Sequence, residues 1–224
     1  MLSNKVILVT GAFSGIGERL VELLMQQRAK VIAVGRNPTG RVPSFTGNYL
    51  PIVRDIQDSY DADEIVEFAL DKFGHVDMMV CCAGSVLARP AGELREKDFR
   101  RMMTDNFYAA SLLTVKLLPV LRKQESGQLL YLGCSAASEG HQGLGAFGAS
   151  KLALKGFVQS LQRDLKDTAI RSEYLELAPA NTGIWDELEE AYQPQTQNTT
   201  LAVARKILER LAADNTTPRE FSVL

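Results

Sequence analysis

In the stretch AFGASKLALKG (146–156), Lys151 follows Phe147 by four residues. That spacing puts both side chains on one face of a helix. A tyrosine at 147 would set a phenol beside an ammonium and give a general acid and base usable near neutral pH. Phenylalanine exchanges no proton. The chain keeps the cation and lacks the hydroxyl that the cation would activate.

A second stretch, TGAFSGIG (10–17), carries binding chemistry. Gly11 permits a tight turn, Gly15 lets backbone approach a ligand, and Gly17 lets the following helix pack closely. A diphosphate would rest on the helix N-terminus, where free N–H groups and the helix dipole favour anions. Ser14 and Ile16, inside the loop, are expected contacts of that ligand. An ordinary strand-to-helix turn is the plain alternative, but the loop opens a strand–helix–strand unit, which favours a dinucleotide.

About 20 residues further on, an acid would hold the ribose hydroxyls of NAD. Here Gly35 is followed by Arg36. A guanidinium suits a 2′-phosphate, so NADP is the expected cofactor and NAD the lesser choice. Ser14 adds a hydroxyl and Arg41 a second charge; a solvated loop arginine is the competing explanation of Arg36.

The elements that must position these residues are legible as alternating apolar patterns. Strands are expected at 5–10, 30–35, 49–53, 76–84, 128–134, 171–179 and 219–224. Ile16, Leu20, Leu23 and Leu24 mark a first helix, and Ile65, Phe68, Ala69 and Phe73 another. A long helix covers about 97–123, the helix of Phe147 runs to about 166, and Val203, Ile207 and Leu211 mark the last. Gly40, Pro43 and Gly47 leave the second crossover with little helix. This alternation implies an α/β fold, a single Rossmann-type doubly wound parallel sheet of about seven strands with helices on both faces, in one domain over 1–224. Ligands in such sheets bind at the carboxyl ends of the strands where strand order reverses. The glycine loop and the Phe147 helix both begin there.

The 224 residues are 46% hydrophobic and 23% charged, which is enough for a full core, and the net charge of -2 gives no basis for binding nucleic acid or an anionic membrane. No apolar run approaches the roughly 18–20 residues of a membrane span. The N-terminus, MLSNKVILVTGAF, reads as a first strand rather than a signal peptide. Cys81, Cys82 and Cys134 have neither disulfide numbers nor metal spacing, so no metal is expected and a reducing cytoplasm is the expected location.

Taken together, these stretches resemble the short-chain dehydrogenase/reductase family over nearly the whole chain. TGxxxGIG matches at Thr10–Gly17, and Asp55 matches the family's adenine-binding aspartate. CCAG (81–84) stands where the family has NNAG, so only Ala83 and Gly84 match. Asn106 and Lys151 match two members of the catalytic tetrad. Phe147 stands for its tyrosine and Cys134, 13 residues earlier, for its serine. Gly140 and Gly143 keep the same register. Pro179 and Thr182 resemble the segment near the nicotinamide, although Ala180 replaces a glycine.

The resemblance implies hydride transfer between a nicotinamide and a carbonyl or alcohol. In the family, tyrosine moves the proton, lysine lowers its pKa and holds the ribose, serine bonds the reacting oxygen, and asparagine organises water. A thiol is a weak donor and a phenyl ring none. Losing the acid costs about 10²–10⁴ in rate and losing an oxyanion donor a comparable factor. Ser135, His141, Tyr108 and Tyr131 are poor replacements: Ser135 should face away, His141 reads as a surface residue, and the tyrosines read as packing aromatics. Leu144 fills the position that carries tyrosine in some enoyl reductases.

Two functions are therefore expected to compete: an NADP(H)-dependent oxidoreductase with impaired turnover, or a silent NADP(H)-binding sensor, regulator or partner of an active relative. The substrate is a small molecule if there is one. Residues 183–198, with Trp185, are expected to form a lid. Leu112, Leu113, Leu154, Phe157 and Leu161 are expected to bury a homodimer or homotetramer interface.

Overall fold

Strand β1 (Val6–Thr10) is buried along its whole length because it lies inside the sheet and is covered on both faces. Its alternating side chains divide between two cores: Val6 and Leu8 in one, Ile7 and Val9 in the other. The computed structural model describes residues 2–38, 47–182, 198–213 and 222–223.

The sheet has seven strands in the order β3-β2-β1-β4-β5-β6-β9, all paired in parallel. Its members are β1, β2 (Lys30–Gly35), β3 (Tyr49–Val53), β4 (Met78–Cys81), β5 (Gly127–Leu132), β6 (Ile170–Glu176) and β9 (Ser222–Val223). A separate two-residue ladder joins β7 (Ala180–Asn181) to β8 (Asn198–Thr199). Helices α2 (Ser59–Phe73), α4 (Ala109–Gln124) and α6 (Gly145–Asp164) cover one face, and α1 (Gly15–Gln26) and α7 (Thr200–Ala212) the other. On that second face a buried ion pair ties α7 to β6, with Arg210 Nε donating to both Glu173 oxygens at 2.7 Å. Strand order reverses between β1 and β4, so the crevice opens at Thr10 and Cys81.

Several expected boundaries change. The fourth strand stops at Cys81 rather than running to 84, because the Ala83 N–H turns out of the ladder to Thr10 Oγ1 at 3.1 Å. The sixth strand ends at Glu176 rather than 179, and the Phe147 helix ends at Asp164, preceded by the short α5 (Ser135–Glu139). The long helix is α3 (Glu96–Met103) and α4 joined by a π turn at Thr104–Tyr108. Such wide turns are often found at functional sites. Most of the second crossover, including Arg41, lies outside the described residues, as do Trp185 and nearly all of the expected lid. No helix among the described residues is long and apolar enough to cross a membrane.

Candidate active site

At the crevice, the glycine loop takes the shape its composition demands. Gly11 has φ +62° and Gly15 φ +55°, both in the left-handed region that side chains disfavour. A Cβ on Gly11 would also stand 2.8 Å from the Ala83 nitrogen. The Ala12 N–H donates to the Val34 carbonyl at 3.0 Å and pins the loop to the end of β2. Ser14 is the N-cap of α1, and its side chain makes no capping hydrogen bond. These features leave the first turn of α1 facing a cavity of about 580 Å³.

The residues expected at the catalytic and cofactor-binding positions line one cavity. Gly11, Ser14, Gly15, Ile16 and Gly17 form its floor, with Arg36 and Asp55 at one end. Ala83, Gly84 and Asn106 form the middle, and Cys134, Phe147, Lys151, Pro179 and Thr182 the other end. Arg36 is exposed at the end of β2. Asp55 is exposed beyond β3 and accepts from Gln57 Nε2 at 2.8 Å.

Asn106 sits in the π turn and is held from several sides. Its Oδ1 accepts the Ser85 N–H at 3.0 Å, and its Nδ2 donates to the Ser85 carbonyl at 2.9 Å and to Ser150 Oγ at 3.1 Å. This network binds the loop after β4 to α6. Lys151 is buried, and its ammonium donates to the Leu132 carbonyl at 3.2 Å. Burial holds the Lys151 pKa below the ordinary lysine value, and the nearby thiols of Cys134, Cys82 and Cys81 act in the opposite sense. A Cβ on Gly84 would come 3.3 Å from Nζ and 2.7 Å from Asn106 Oδ1, so glycine there keeps this part of the cavity open.

Phe147, only 3% exposed, packs in an apolar cluster with Cys134, Met102, Leu144 and Ala146. Cys81 is buried in β4, and burial pushes its thiol up to about 12. Cys82 lies just beyond the strand, where it lines the cavity and packs against the core on the α1 face. His141 is exposed, with Nε2 3.5 Å from Glu139 Oε2. Tyr131 is fully buried and shares a 2.7 Å hydrogen bond with Thr114. Tyr108 is 47% exposed and packs its ring against Phe107, centroids 5.2 Å apart, so it is a packing aromatic at the surface.

Sequence reasoning missed Phe13, Asn37, Arg54, Asp105, Leu177 and Ala178 in the cavity wall. Phe13 and Asp105 adjoin residues already singled out, so their neighbours were a usable signal. Arg54 comes from the end of β3, beside β2, which only strand order reveals. Its guanidinium already pairs with Glu64 and with Asp61 at 3.8 Å.

The donor set suits a dinucleotide. Positive-φ glycines leave room beside a helix N-terminus, an exposed guanidinium closes one end, and a buried amine stands at the other. The comparisons point the same way. Residues 5–193 match the family profile described as short chain dehydrogenase. An uncharacterized oxidoreductase of Staphylococcus epidermidis is 30% identical over 173 residues, which is 76% of this chain and 75% of that protein. The 3-ketoacyl-(acyl-carrier-protein) reductase from Brucella melitensis, solved with NADH, superposes with a TM-score of 0.90 at 23% identity, covering 100% of this chain and 97% of that one. The closed form of serine dehydrogenase, solved with NADP+, superposes with a TM-score of 0.88 at 22% identity, covering 98% of this chain and 94% of that one. At those identities the two structures establish the shared fold.

Proposed function

Because the chain belongs to the short chain dehydrogenase family, we propose that it is a single-domain NADP(H)-binding oxidoreductase of a small carbonyl or alcohol whose turnover is impaired. The observation that carries this reading is the pair at the reacting end of the cavity: Phe147 and Cys134 share an apolar cluster, while Lys151 beside them keeps its amine. Cofactor-holding chemistry is retained and proton-donating chemistry is lost.

On this reading a bound nicotinamide cofactor supplies hydride. The N-terminal amides of α1 would hold the diphosphate, Arg36 the 2′-phosphate and Asp55 the adenine. Lys151 would hold the nicotinamide ribose, and Pro179 and Thr182 would help to hold the nicotinamide end. Asn106 fixes the loop after β4 through Ser85 and so sets the width of the crevice. Cys134 offers a substrate oxygen one weak donor and Phe147 none. The proton then comes from solvent or from the substrate itself, at a cost of about 10²–10⁴ in rate.

A second reading, an NADP(H)-binding sensor or partner protein without turnover, draws on the same buried ring. One experiment separates them: nucleotide titration followed by assay on a broad panel of ketones, aldehydes and alcohols. Slow turnover above the nucleotide-only background supports the oxidoreductase; tight binding with none supports the sensor. We further propose a cytoplasmic protein that pairs with a second copy of itself and contacts neither nucleic acid nor membrane.

A further inference from the structure

We propose that Phe13 governs which dinucleotide this cavity accepts, by filling the space into which any side chain at position 35 would project. The proposal rests on the dinucleotide reading of the cavity and extends it to a non-glycine position within the glycine loop. Gly35 is the last residue of β2, and a Cβ built on it stands 2.8 Å from Phe13 Cδ2 and 3.4 Å from Cε2. Both residues line the cavity at its Arg36 end.

Neither partner has slack to give. Phe13 is 5% exposed and belongs to the core cluster that contains Val31 and Ala33 of β2. The Gly35 carbonyl accepts the Arg54 N–H at 2.9 Å, and the Ala12 N–H is bonded to Val34 next to it. The aromatic ring and the strand end are therefore held against each other. Close-packed interiors do not absorb an extra side chain without cost. Phe13 borders the cavity, so a ring displaced by a side chain at 35 would enter it and take ribose space.

A carboxylate that reads both ribose hydroxyls must project from the end of this strand. With Phe13 in place no carboxylate fits at 35. The next residue, Arg36, makes no ion pair among the described residues, whereas Arg54 is already engaged by Glu64 and Asp61. Among the described residues, the ribose end presents an aromatic ring, a bare glycine and the Arg36 cation. Phe13 thereby excludes the side chain that would favour a ribose without a phosphate, while Arg36 favours the phosphate.

The test is calorimetric titration of NADPH and NADH against Gly35→Asp, Gly35→Ala and Phe13→Ala/Gly35→Asp. Gly35→Asp alone should lose at least tenfold in NADPH affinity without gaining NADH affinity. Removing the ring in the double variant should raise NADH affinity at least tenfold over Gly35→Asp. An equal NADH gain in Gly35→Asp alone overturns the proposal, as does a folded double variant with no gain. Should the double variant not fold, Gly35→Ala reads the same contact. Its added methyl should push the ring into the cavity and weaken both nucleotides by a common factor of at least ten, and unchanged affinities overturn the proposal. Parent protein that binds neither nucleotide defeats the cavity reading and this proposal together. Parent protein that binds both equally defeats only the role of Arg36, because the Phe13–Gly35 coupling is read from NADH gained between variants.

Discussion

Phe147 and Lys151 lie one turn apart on α6 and both line the cavity, yet they keep different company. The ring packs with Cys134, Leu144 and Met102, while the amine reaches across to the Leu132 carbonyl at 3.2 Å. The lysine is held in place by β5 and does not need a phenol to position it. Its retention beside a ring without a hydroxyl follows from this independence.

Lys151 should cost the empty protein stability. Burial lowers its pKa in the folded state, so the unfolded chain binds the proton more tightly. Stability then rises with pH between the depressed folded value and the ordinary 10.5, and the full penalty applies below that window. Lys151→Met should raise the melting temperature at pH 7, by about 2–4 °C for each kcal/mol of relieved desolvation. It should also abolish the difference between parent and variant as pH climbs toward 10.5, and weaken NADPH binding. Thermal melts from pH 6 to 10 check the first two points and titration the third.

Arg36→Ala should weaken NADPH and leave NADH nearly unchanged. A charge-assisted contact is worth about 1.5–3 kcal/mol, or roughly one to two decades in affinity. Calorimetry with both reduced cofactors measures this, and parallel losses would place the phosphate elsewhere.

Much of this site was legible because each residue sits where an element begins or ends. The glycine loop follows an apolar strand, and Lys151 follows Phe147 at helical spacing. Strand boundaries were less legible: CCAG continues an apolar run, and only the Ala83–Thr10 hydrogen bond reveals that the ladder stops at Cys81. The π turn left no periodic signature, because one extra residue shifts the helix face without altering composition. Arg54 stayed hidden because β3 pairs with β2, a fact of strand order rather than of local pattern.

Cys81 should resist alkylation in the folded protein. Its thiol is pushed up to about 12 by burial, so almost no thiolate exists at pH 8. The same shift makes it an acid that the unfolded chain ionises first. Its contribution to stability is intact below pH 9 and is lost between about 9 and 12. Peptide mapping after iodoacetamide treatment, native against denatured, checks the reactivity; modification of native Cys81 at pH 8 would contradict the burial argument.

Self-association should use different side chains from those that periodicity alone suggested. Leu113, Leu154 and Leu161 are buried within the protomer's own core, so they are not available to a second copy. Val115 and Tyr108, on α4 and the π turn, and Leu152 on α6 are exposed instead. A homodimer or homotetramer should form through this face, and Val115→Glu with Leu152→Glu should dissociate it without unfolding the chain. Light scattering at micromolar concentration decides the matter; a single-chain mass for the parent would refute it.

The missing hydroxyl makes the sharpest prediction. Phe147→Tyr adds one oxygen to a ring whose volume hardly changes, one turn from an amine already fixed by Leu132. Cys134→Ser restores a second donor in the same cluster. Acid catalysis and oxyanion stabilisation each contribute about two or more decades, so the double variant should exceed the parent by at least that much on a carbonyl panel. The two changes should be more than additive, because both donors would act on one oxygen. The new phenol must also be satisfied in a buried apolar cluster, so Phe147→Tyr alone should lower the melting temperature of the empty protein and recover it when NADPH binds. A double variant that binds NADPH but gains no turnover would mean that the substrate side of the cavity, and not only its proton donors, has been lost. A parent that already turns over at about 1–10³ s⁻¹, the ordinary enzyme range, would refute the impairment outright.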